Sequence, residues 1–412
     1  MDVEIITIGD ELLIGQVVDT NSAWMGRMLN DIGFRVVRKT AVGDDGEVIA
    51  AALDAAKKRA PVVLLTGGLG PTKDDITLHT LCRYFGCEMH FSEEVYRDIE
   101  QLFGRNGRAM NELTRLQAMV PDGGTVIRNR AGTAPCTWFE RDGWLLVSMP
   151  GVPSEMKWLM THEVLPRLQT RFRQDVFIRH QSYWVSGYTE SALAIHLTDF
   201  ENRLPPSVKL AYLPQAGIIR LRLSACCRQE ADTEAALTSS RRQLEERLQG
   251  HIVSDEDRNL ETIAGARLRA AGATVATAES CTGGAVAASL TSVAGSSDYF
   301  RGSIVAYADP VKQNVLGVSA EALERHGAVS REVVEQMACG ALKTLDADFA
   351  LATSGIAGPG GGTPEKPVGT VWIAIAAKDG STSSKHYQFG AIREQNIQRT
   401  VNMALLMLLE RL

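Results

Sequence analysis

Several features that mark secreted, membrane-spanning or nucleic-acid-binding proteins are missing from this chain of 412 residues. Its seven cysteines show no spacing of the disulfide or metal-site type, which favours a reducing, cytoplasmic compartment. No apolar run approaches the roughly 18–20 residues of a membrane span, and the first residues are acidic where a signal peptide needs positive charge. A net charge of -6 argues against a protein whose main function is to bind nucleic acid. We therefore expect a cytoplasmic protein without a membrane or nucleic-acid partner.

The composition is that of an ordinary packed protein, with 45% hydrophobic and 22% charged residues. The length predicts two or three domains. Within residues 1–170, apolar strands at 3–8, 62–65 and 144–147 alternate with helical patterns. Such an alternation predicts a parallel sheet that is covered on both faces and binds ligands at the carboxyl ends of its strands.

The pattern changes after this first domain. Residues 171–252 combine strand-like pieces with a charged helix and predict a small α+β domain. Residues 253–412 return to the α/β pattern, with strands predicted at 274–277, 302–307, 349–353 and 371–377. The predicted fold class is therefore α/β, with a three-layer N-terminal domain, a small α+β middle domain and a C-terminal α/β domain.

Three predicted strand ends in the first domain carry glycine beside an acid: Gly9-Asp10-Glu11, Gly67 to Asp75, and Gly151 to Glu155. Glycine lets the backbone approach a ligand closely, and helix N-termini attract phosphate. Because the carboxylates would repel phosphate unless a divalent cation lies between them, the pattern predicts a metal–phosphate site. In the alternative interpretation the acids only offset helix dipoles. The second segment is not a Walker A motif, since an acid follows its lysine.

A serine follows a predicted strand of the last domain and precedes two glycines. Ser280 is a candidate nucleophile there, with backbone N–H groups near Gly283 as oxyanion donors. No histidine lies in this motif, so the candidate base is Lys312, with Tyr307 as a proton relay. Cys281 is a rival nucleophile, although a residue one position further into the helix often faces the core. The alternative is that the serine is only an N-cap.

The most unusual stretch of the chain is the glycine-rich segment 354–370, which begins with Ser354-Gly355. Its glycines predict either close approach to a ligand or a plain surface loop. Arg393 and Arg399 near the start of the last helix are candidates to hold a phosphate, or to form surface salt bridges.

These motifs resemble those of the competence/damage-inducible protein A (CinA) family, and the resemblance covers essentially the whole chain. Residues 9–12, 67–75 and 150–156 are similar to its molybdopterin-binding-like domain, and residues 171–252 are similar to its small KH-like domain. Residues 278–284, 307–312 and 354–359 look like the nicotinamide mononucleotide deamidase domain. The segment before Lys312 departs from the family's usual Ser-Asn-Glu-Ala, and its Pro310 is expected to begin a helix that keeps the lysine in place.

The resemblance implies a deamidase site in residues 253–412. Ser280 corresponds to the nucleophile, Lys312 to the general base and Tyr307 to an assisting residue. The substrate, nicotinamide mononucleotide, is expected to contact Thr282, Gly283, Gly284, Ser354, Gly355 and Arg393. No cofactor is implied for this site.

The resemblance also implies an ADP-ribose pyrophosphatase in residues 1–170 that uses a divalent Mg, Mn or Co ion. The motif positions of this site are Asp10, Glu11, Gly67, Gly68, Gly70, Thr72, Asp74, Gly151 and Glu155. Asp10, Asp74 and Glu155 are the candidate metal ligands, and a homodimer is expected.

Three other interpretations stay open. The chain could be a deamidase only, with an N-terminal domain that binds a nucleotide or a pterin as a regulatory module. A nucleic-acid-linked role is the second, but residues 171–250 show no evident Gly-x-x-Gly clamp of a nucleic-acid-binding KH domain. A molybdopterin-handling role is the third.

Overall fold

The computed structural model describes residues 1–70, 72, 75–105, 110–172 and 176–412. The chain divides into two compact units. One comprises Met1–Arg179 with Cys226–Glu234, and the other comprises His180–Ala225 with Ala235–Leu412.

The N-terminal domain is built on a six-stranded sheet with the order β2-β1-β3-β8-β7-β6. The first four strands in this order are parallel, and β7 and β6 are antiparallel to their neighbours. A separate antiparallel pair is formed by β4 and β5. The strands are β1 Asp2–Ile8, β2 Arg35–Val42, β3 Val62–Thr66, β4 Met89–Phe91, β5 Met119–Pro121, β6 Thr125–Ile127, β7 Cys136–Arg141 and β8 Trp144–Met149.

Helices cover both faces of this sheet, as the apolar strands predict. Side chains alternate along β1, so that Val3 and Ile5 join one core cluster, while Ile6 and Ile8 join another on the opposite face. The helices are α1 Asp10–Leu13, α2 Thr20–Asp31, α3 Gly46–Lys57, α4 Thr77–Phe85, α5 Glu93–Arg105, α6 Glu112–Leu116, α7 Pro153–Leu159 and α8 Leu165–Arg171, the last two joined by a π-helical segment at Met160–Val164.

Local capping explains where these helices start. The Asp19 carboxylate accepts a hydrogen bond from the Ser22 N–H at 2.9 Å and so begins α2. Asp45 begins α3 in the same way. The sequence predicts a helix start near Asp74, whereas α4 begins at Thr77. That difference of three residues leaves a longer connection after β3 than expected.

The middle domain contains a four-stranded sheet with the order β10-β11-β9-β12. Thr189 begins α9 by accepting a hydrogen bond from the Ala192 N–H. The elements are β9 Phe177–Val185, α9 Glu190–Glu201, β10 Val208–Gln215, β11 Ile218–Cys227, α10 Glu230–Arg247 and β12 Ile252–Ser254.

The C-terminal domain has a five-stranded sheet with the order β14-β13-β15-β16-β17. The first three strands in this order are parallel, and the last two are antiparallel to their neighbours. The elements are α11 Leu260–Ala271, β13 Val275–Glu279, α12 Ala285–Thr291, β14 Phe300–Val305, α13 Asp309–Asn314, α14 Ala320–His326, α15 Arg331–Thr344, β15 Phe349–Gly355, β16 Thr370–Ala377, β17 Thr382–Gln388 and α16 Arg393–Leu409.

One strand of this sheet is absent from the sequence-based prediction. The edge strand β17 is mostly polar and exposed, so it lacks the apolar run by which the other four strands are recognised. The predicted α/β class is otherwise confirmed. In the described part of the chain, helices that combine the length and the apolar character of a membrane span are absent.

Candidate functional site

The carboxyl ends of three parallel strands bring the predicted deamidase residues to one edge of the C-terminal sheet. Glu279 at the end of β13 pairs with Val305 of β14 on one side and with Thr353 of β15 on the other. Ser280 follows directly, and its N–H donates to the Thr353 carbonyl at 3.0 Å. Tyr307 follows β14, and Ser354 belongs to β15. Sheet register alone therefore gathers side chains that lie far apart in sequence.

A tight turn carries the chain from Ser280 into α12. The Gly283 N–H donates to the Ser280 carbonyl at 3.1 Å. Gly283 has φ +61° and Gly284 has φ +102°, in the left-handed region that favours glycine. These two glycines are thus required by the shape of the turn. Gly355 belongs to β15, where an added Cβ would lie 2.8 Å from the Thr370 carbonyl oxygen.

The Glu279 side chain stabilises this turn through hydrogen bonds, and the sequence did not predict this role. Its side chain is completely buried. The carboxylate accepts hydrogen bonds from the N–H groups of Gly284 at 3.0 Å, Val286 at 3.0 Å and Ala287 at 2.8 Å. The Thr277 hydroxyl donates to it as well, at 3.2 Å. The buried anion therefore takes up the first free N–H groups of α12.

Some of the main-chain N–H groups nearest to Ser280 are therefore already hydrogen-bonded within the protein, and others remain available to a ligand. Those of Gly283 and Gly284 are bound to the Ser280 carbonyl and the Glu279 carboxylate. Within the described residues, the N–H groups of Cys281 and Thr282 donate to no other residue. An anion beside Ser280 would therefore find its donors at Cys281 and Thr282.

Lys312 lies on α13 with its side chain only 1% exposed. Its Nζ donates to the Tyr307 main-chain oxygen at 3.0 Å and to Asp309 Oδ1 at 3.0 Å. Pro310 occupies the first turn of α13, which confirms that this proline begins the helix. Tyr307 contributes its carbonyl to this arrangement, while its side chain is 63% exposed. The lysine is thus anchored beside the strand end that neighbours Ser280.

Cys281 and Thr282 point into the protein rather than into the site. Burial raises the pKa of the Cys281 thiol to about 12. The Thr282 hydroxyl shares a hydrogen bond of 2.7 Å with the buried Thr353 hydroxyl. A thiol that stays protonated is a poor nucleophile, so the environment favours Ser280 over its neighbour.

The glycine-rich segment is tied to α16 at two successive carbonyl groups. Arg393 Nη1 donates to the Gly358 carbonyl at 3.0 Å. Asn396, which the sequence analysis did not single out, donates to the Ala357 carbonyl at 3.0 Å and to the Gly390 carbonyl at 2.9 Å. Arg399 instead lies over the Phe389 ring at 6.0 Å from its centroid. Asn396 lies on α16, four residues before Thr400, and this position in the sequence gives no signal of its role.

The Ser354 hydroxyl is engaged within the protein. Its hydroxyl donates to the Ala328 carbonyl at 2.6 Å, and its residue is buried. The side chain therefore ties β15 to the segment that precedes α15. Its place at the strand end, beside Thr353, keeps it next to the Ser280 turn.

The turns of the N-terminal domain present a different arrangement of acids. Asp10 and Glu11 are exposed at the end of β1. Asp10 Oδ1 accepts from the Asp44 N–H at 3.2 Å, and Asp44 Oδ2 accepts from the Asp10 N–H at 3.0 Å. This reciprocal pair places two carboxylates together at the strand end. Hard oxygen donors of this type suit a divalent cation.

The glycines after β3 are there because side chains do not fit. A Cβ on Gly67 would lie 2.1 Å from the Ile8 carbonyl oxygen, and one on Gly68 would lie 2.2 Å from Thr77 Oγ1. Gly67 also donates to the Met149 carbonyl at 3.1 Å. Gly151 follows β8, and its carbonyl accepts from Asn21 Nδ2 at 2.7 Å. The ends of β1, β3 and β8 are therefore packed backbone against backbone.

Glu155 is enclosed by the loop between β6 and β7. Its Oε2 accepts from Asn129 Nδ2 at 2.6 Å. Burial raises the pKa of this carboxyl, and the Asn129 hydrogen bond opposes that change. Asp74 lies outside the described residues. Among the residues that are described, no group of three His, Cys, Asp or Glu side chains is arranged to hold a metal ion.

Comparison with known families divides the chain into three matched regions. Residues 4–170 match a probable molybdopterin binding domain. Residues 180–254 match the damage-inducible protein CinA KH domain, and residues 257–412 match the CinA C-terminal domain. These matches confirm the predicted molybdopterin-binding-like domain, the KH-like middle domain and the resemblance of the last domain to that of the CinA family.

Whole-chain relatives carry the same family name. A CinA-like protein of Cytophaga hutchinsonii is 43% identical over 408 residues, which cover 99% of this chain and 97% of that protein. One of Flavobacterium psychrophilum is 42% identical and covers 99% and 98%. Among solved structures, a competence/damage inducible protein CihA from Agrobacterium tumefaciens is 41% identical, with a TM-score of 0.36, over 38% of this chain and 98% of that one.

Proposed function

This chain belongs to the CinA family, and from that premise and the geometry of the Ser280 turn we propose that it hydrolyses the amide of nicotinamide mononucleotide. The observation that carries the proposal is the buried Lys312 beside the end of β14, the strand that pairs with β13 just before Ser280. A lysine acts as a base from a desolvated position. Ser280, in turn, is fixed by the Thr353 carbonyl and the Glu279 carboxylate below its turn.

The proposed reaction proceeds through an acyl-enzyme. Ser280 Oγ attacks the amide carbon while neutral Lys312 accepts the hydroxyl proton. The negative charge that develops on the amide oxygen is stabilised by the N–H groups of Cys281 and Thr282. The C–N bond then breaks, and Lys312 returns the proton so that the nitrogen leaves as ammonia. Water attacks the ester, Lys312 takes its proton, and nicotinate mononucleotide leaves Ser280 with its hydroxyl restored.

Arg393, Gly355 and Tyr307 bind and orient the substrate. Arg393 uses Nη1 on the Gly358 carbonyl, and its other N–H groups can bind the substrate phosphate. The segment that starts at Gly355 then lies along the nucleotide. Tyr307 orients Lys312 through its main-chain oxygen, and its exposed ring is free to contact the substrate.

Ammonia release from nicotinamide mononucleotide tests this activity. The wild-type protein should release ammonia in the presence of EDTA, with nicotinate mononucleotide as the second product. The same assay with nicotinamide riboside, which lacks only the phosphate, checks that the phosphate is recognised, and Arg393→Ala should mainly raise KM. No ammonia from any nicotinamide nucleotide would refute the proposal.

For the N-terminal domain we infer a second activity, the hydrolysis of ADP-ribose to AMP and ribose 5-phosphate. The carboxylates of the exposed Asp10 and the half-buried Asp44 fit a divalent cation such as Mg, Mn or Co, and Asp74 and Glu155 of the two other glycine turns are the further candidate ligands. A bound cation supplies neutralisation of the diphosphate charge. Glu155 supports the loop that holds Asn129, and the glycine turn after β3 is the segment that would face the phosphates.

The measurement is AMP formation from ADP-ribose, with each metal and with EDTA. Asp10→Asn should lower this rate about a hundredfold while it leaves ammonia release unchanged. If ADP-ribose binds but no metal supports turnover, the N-terminal domain is a binding module and the chain is a deamidase only.

The oligomeric state and the location stay predictions. A homodimer should appear in light scattering at twice the chain mass of 44.7 kDa. Cell fractionation should find the protein in the cytoplasm.

A further inference from the structure

Two of the seven cysteines lie on either side of the turn that ends α4. Gly86 follows this helix in the left-handed region, with φ +62°. The Cys87 N–H donates to the Cys82 carbonyl at 2.9 Å, and the Gly86 N–H donates to the Arg83 carbonyl at 3.3 Å. These two bonds form the Schellman arrangement, in which the side chains of the two outer residues frequently contact each other. Here the two outer residues are Cys82 and Cys87.

The outer hydrogen bond limits the distance between the two cysteines. With standard backbone bond lengths, a 2.9 Å bond from the N–H of one residue to the carbonyl of the other keeps their Cα atoms within about 6.8 Å. Disulfides join Cα atoms that are roughly 4.4–6.8 Å apart. The backbone of the reduced protein therefore already meets the distance requirement of a disulfide between Cys82 and Cys87.

The chain that follows Cys87 is held in place by a neighbouring segment. Gly123 packs so closely on Cys87 that an added Cβ would lie 2.6 Å from its Cβ and 3.0 Å from its Sγ. Asp122 accepts at Oδ1 from the Glu88 N–H at 2.9 Å, and its own N–H donates to the Glu88 carbonyl at 2.9 Å. The main chain on both sides of this contact is thus fixed, which preserves the approach of Cys87 to Cys82.

The two thiols differ in exposure. Cys82 is 6% exposed, and burial together with the hydrogen-bonded Cys87 thiol raises the pKa of Cys82 to about 12. Cys87 is half-buried, so it is the member of the pair that solvent reaches. An oxidant from solution therefore meets Cys87 first, with the protonated Cys82 thiol beside it as a resolving cysteine.

A second pair of neighbouring cysteines shows that closeness in sequence is not sufficient. Cys226 and Cys227 are adjacent in β11, where successive side chains point to opposite faces of the sheet. Cys82 and Cys87 are further apart in sequence, but the end of α4 turns the chain back so that the two residues meet. The backbone conformation of the helix end, rather than the spacing, makes them a pair.

We propose that Cys82 and Cys87 form a reversible disulfide when the protein meets a hydroperoxide. With hydrogen peroxide, the Cys87 sulfur attacks the O–O bond and becomes a sulfenic acid, and one water leaves. The Cys82 sulfur then attacks the Cys87 sulfur, and the Cys82 proton leaves with the hydroxyl group as a second water. Two thiols thus lose two electrons and two protons to one peroxide. A dithiol returns the pair to the reduced state by thiol–disulfide exchange.

A disulfide of this kind fits the reducing compartment that the sequence predicts. Disulfides are rare there and are mostly transient, with catalytic or redox-sensing roles. The bond would close the short loop 82–87 and so fix the connection between α4 and β4 covalently. Its formation depends on neither of the two proposed hydrolytic activities.

Peptide mass spectrometry of the full-length protein tests the disulfide. Trypsin cleaves after Arg83, between the two cysteines, so the bond would join the separate peptides 74–83 and 84–97. After hydrogen peroxide in native buffer and an acid quench with N-ethylmaleimide, wild type should yield this linked pair, and dithiothreitol should dissociate it. Absence of the linked pair from the oxidised wild-type protein would overturn the proposal.

Dimedone, which traps sulfenic acids, tests the order of the two steps. Cys82→Ala should accumulate about tenfold more dimedone adduct at Cys87 than wild type, because no resolving thiol then removes the sulfenic acid. The matched control is Cys227→Ala, a half-buried cysteine outside this pair, which should match wild type in both assays. Equal dimedone labelling of Cys87 in wild type and in Cys82→Ala would overturn the role of Cys82 as the resolving thiol.

Discussion

The turn after β1 and the turn after β13 both join a parallel strand to a helix and both carry a carboxylate, yet the two carboxylates are treated in opposite ways. Glu279 is completely buried and accepts hydrogen bonds from three main-chain N–H groups and one hydroxyl. Asp10 is exposed, and its carboxylate accepts a hydrogen bond from the Asp44 N–H. One acid is a fixed part of the framework, and the other is available to solvent.

This difference follows from what each proposed reaction needs. Nucleophilic attack by Ser280 depends on a rigid turn, because the nucleophile, base and oxyanion donors must hold their positions without help from the substrate. Cleavage of a diphosphate can borrow its electrostatic stabilisation from a cation, which requires accessible oxygen ligands. A buried anion suits the first site, and exposed anions suit the second.

The largest difference between the two activities is expected when the proposed base, Lys312, is replaced. Lys312→Met should lower kcat for ammonia release about a thousandfold, because the hydroxyl proton then has no acceptor. ADP-ribose turnover should not change. Lys343→Met, an exposed lysine of α15, serves as the control. A deamidase that keeps its activity without Lys312 would show that the buried lysine is structural.

Chemical labelling measures how closed the serine turn is. Iodoacetamide at pH 8 should modify Cys281 about a hundredfold more slowly than the exposed Cys226 and Cys339, since burial raises the pKa of Cys281 to about 12. Peptide mass spectrometry over a time course gives the three rates. Comparable rates would mean that the turn opens readily, and the contrast between a rigid and an open site would fail.

The framework role of Glu279 can be tested by a single-atom change. Glu279→Gln replaces one acceptor oxygen by an NH₂ group that faces N–H donors, so the free energy of unfolding should fall by about 2 kcal/mol. The kcat for ammonia release should fall about tenfold because Ser280 is no longer held. KM should stay constant, since substrate groups do not contact this residue.

Glu324→Gln, at an exposed position of α14, is the matched control for that variant. A loss of stability with an unchanged kcat would assign Glu279 to the fold alone. The split between kcat and KM distinguishes a positioning role from a general loss of folded protein.

The smallest effect, a change in the free energy of unfolding, is expected at Glu155 of the N-terminal domain. Burial raises the pKa of its carboxyl in the folded state, so its contribution to stability is present below the unfolded pKa and is lost as the pH rises through the folded value. Glu155→Gln stays neutral and keeps the acceptor for Asn129. It should be slightly more stable than wild type at pH 7 and equal to it near pH 4, as measured by urea unfolding. The opposite order at pH 7 would show that the Asn129 hydrogen bond outweighs desolvation.

Sequence patterns predicted most of the framework, because apolar strands and glycine turns are local signals. The apolar runs of β1 and β3, which alternate with helices along the chain, predicted a sheet that is buried on both faces, and Pro310 predicted the helix that holds Lys312. The polar edge strand β17 was not predicted, because its formation depends on pairing with β16 rather than on an apolar run.

The candidate site was predicted less completely than the fold. Ser280 and Lys312 are recognised by residue type and position, but the role of Glu279 depends on an inward rotation that only the folded turn defines. The acid placed between a buried strand and a serine was the available signal. Asn396 illustrates the same limit, because its two carbonyl partners come from separate loops.

The most direct test of a serine acyl-enzyme in a rigid turn is ammonia release from nicotinamide mononucleotide by Ser280→Ala and Cys281→Ala, measured side by side with wild type. The account predicts that Ser280→Ala loses activity by about three orders of magnitude or more and that Cys281→Ala largely keeps it. Activity that survives in Ser280→Ala and disappears in Cys281→Ala would contradict it.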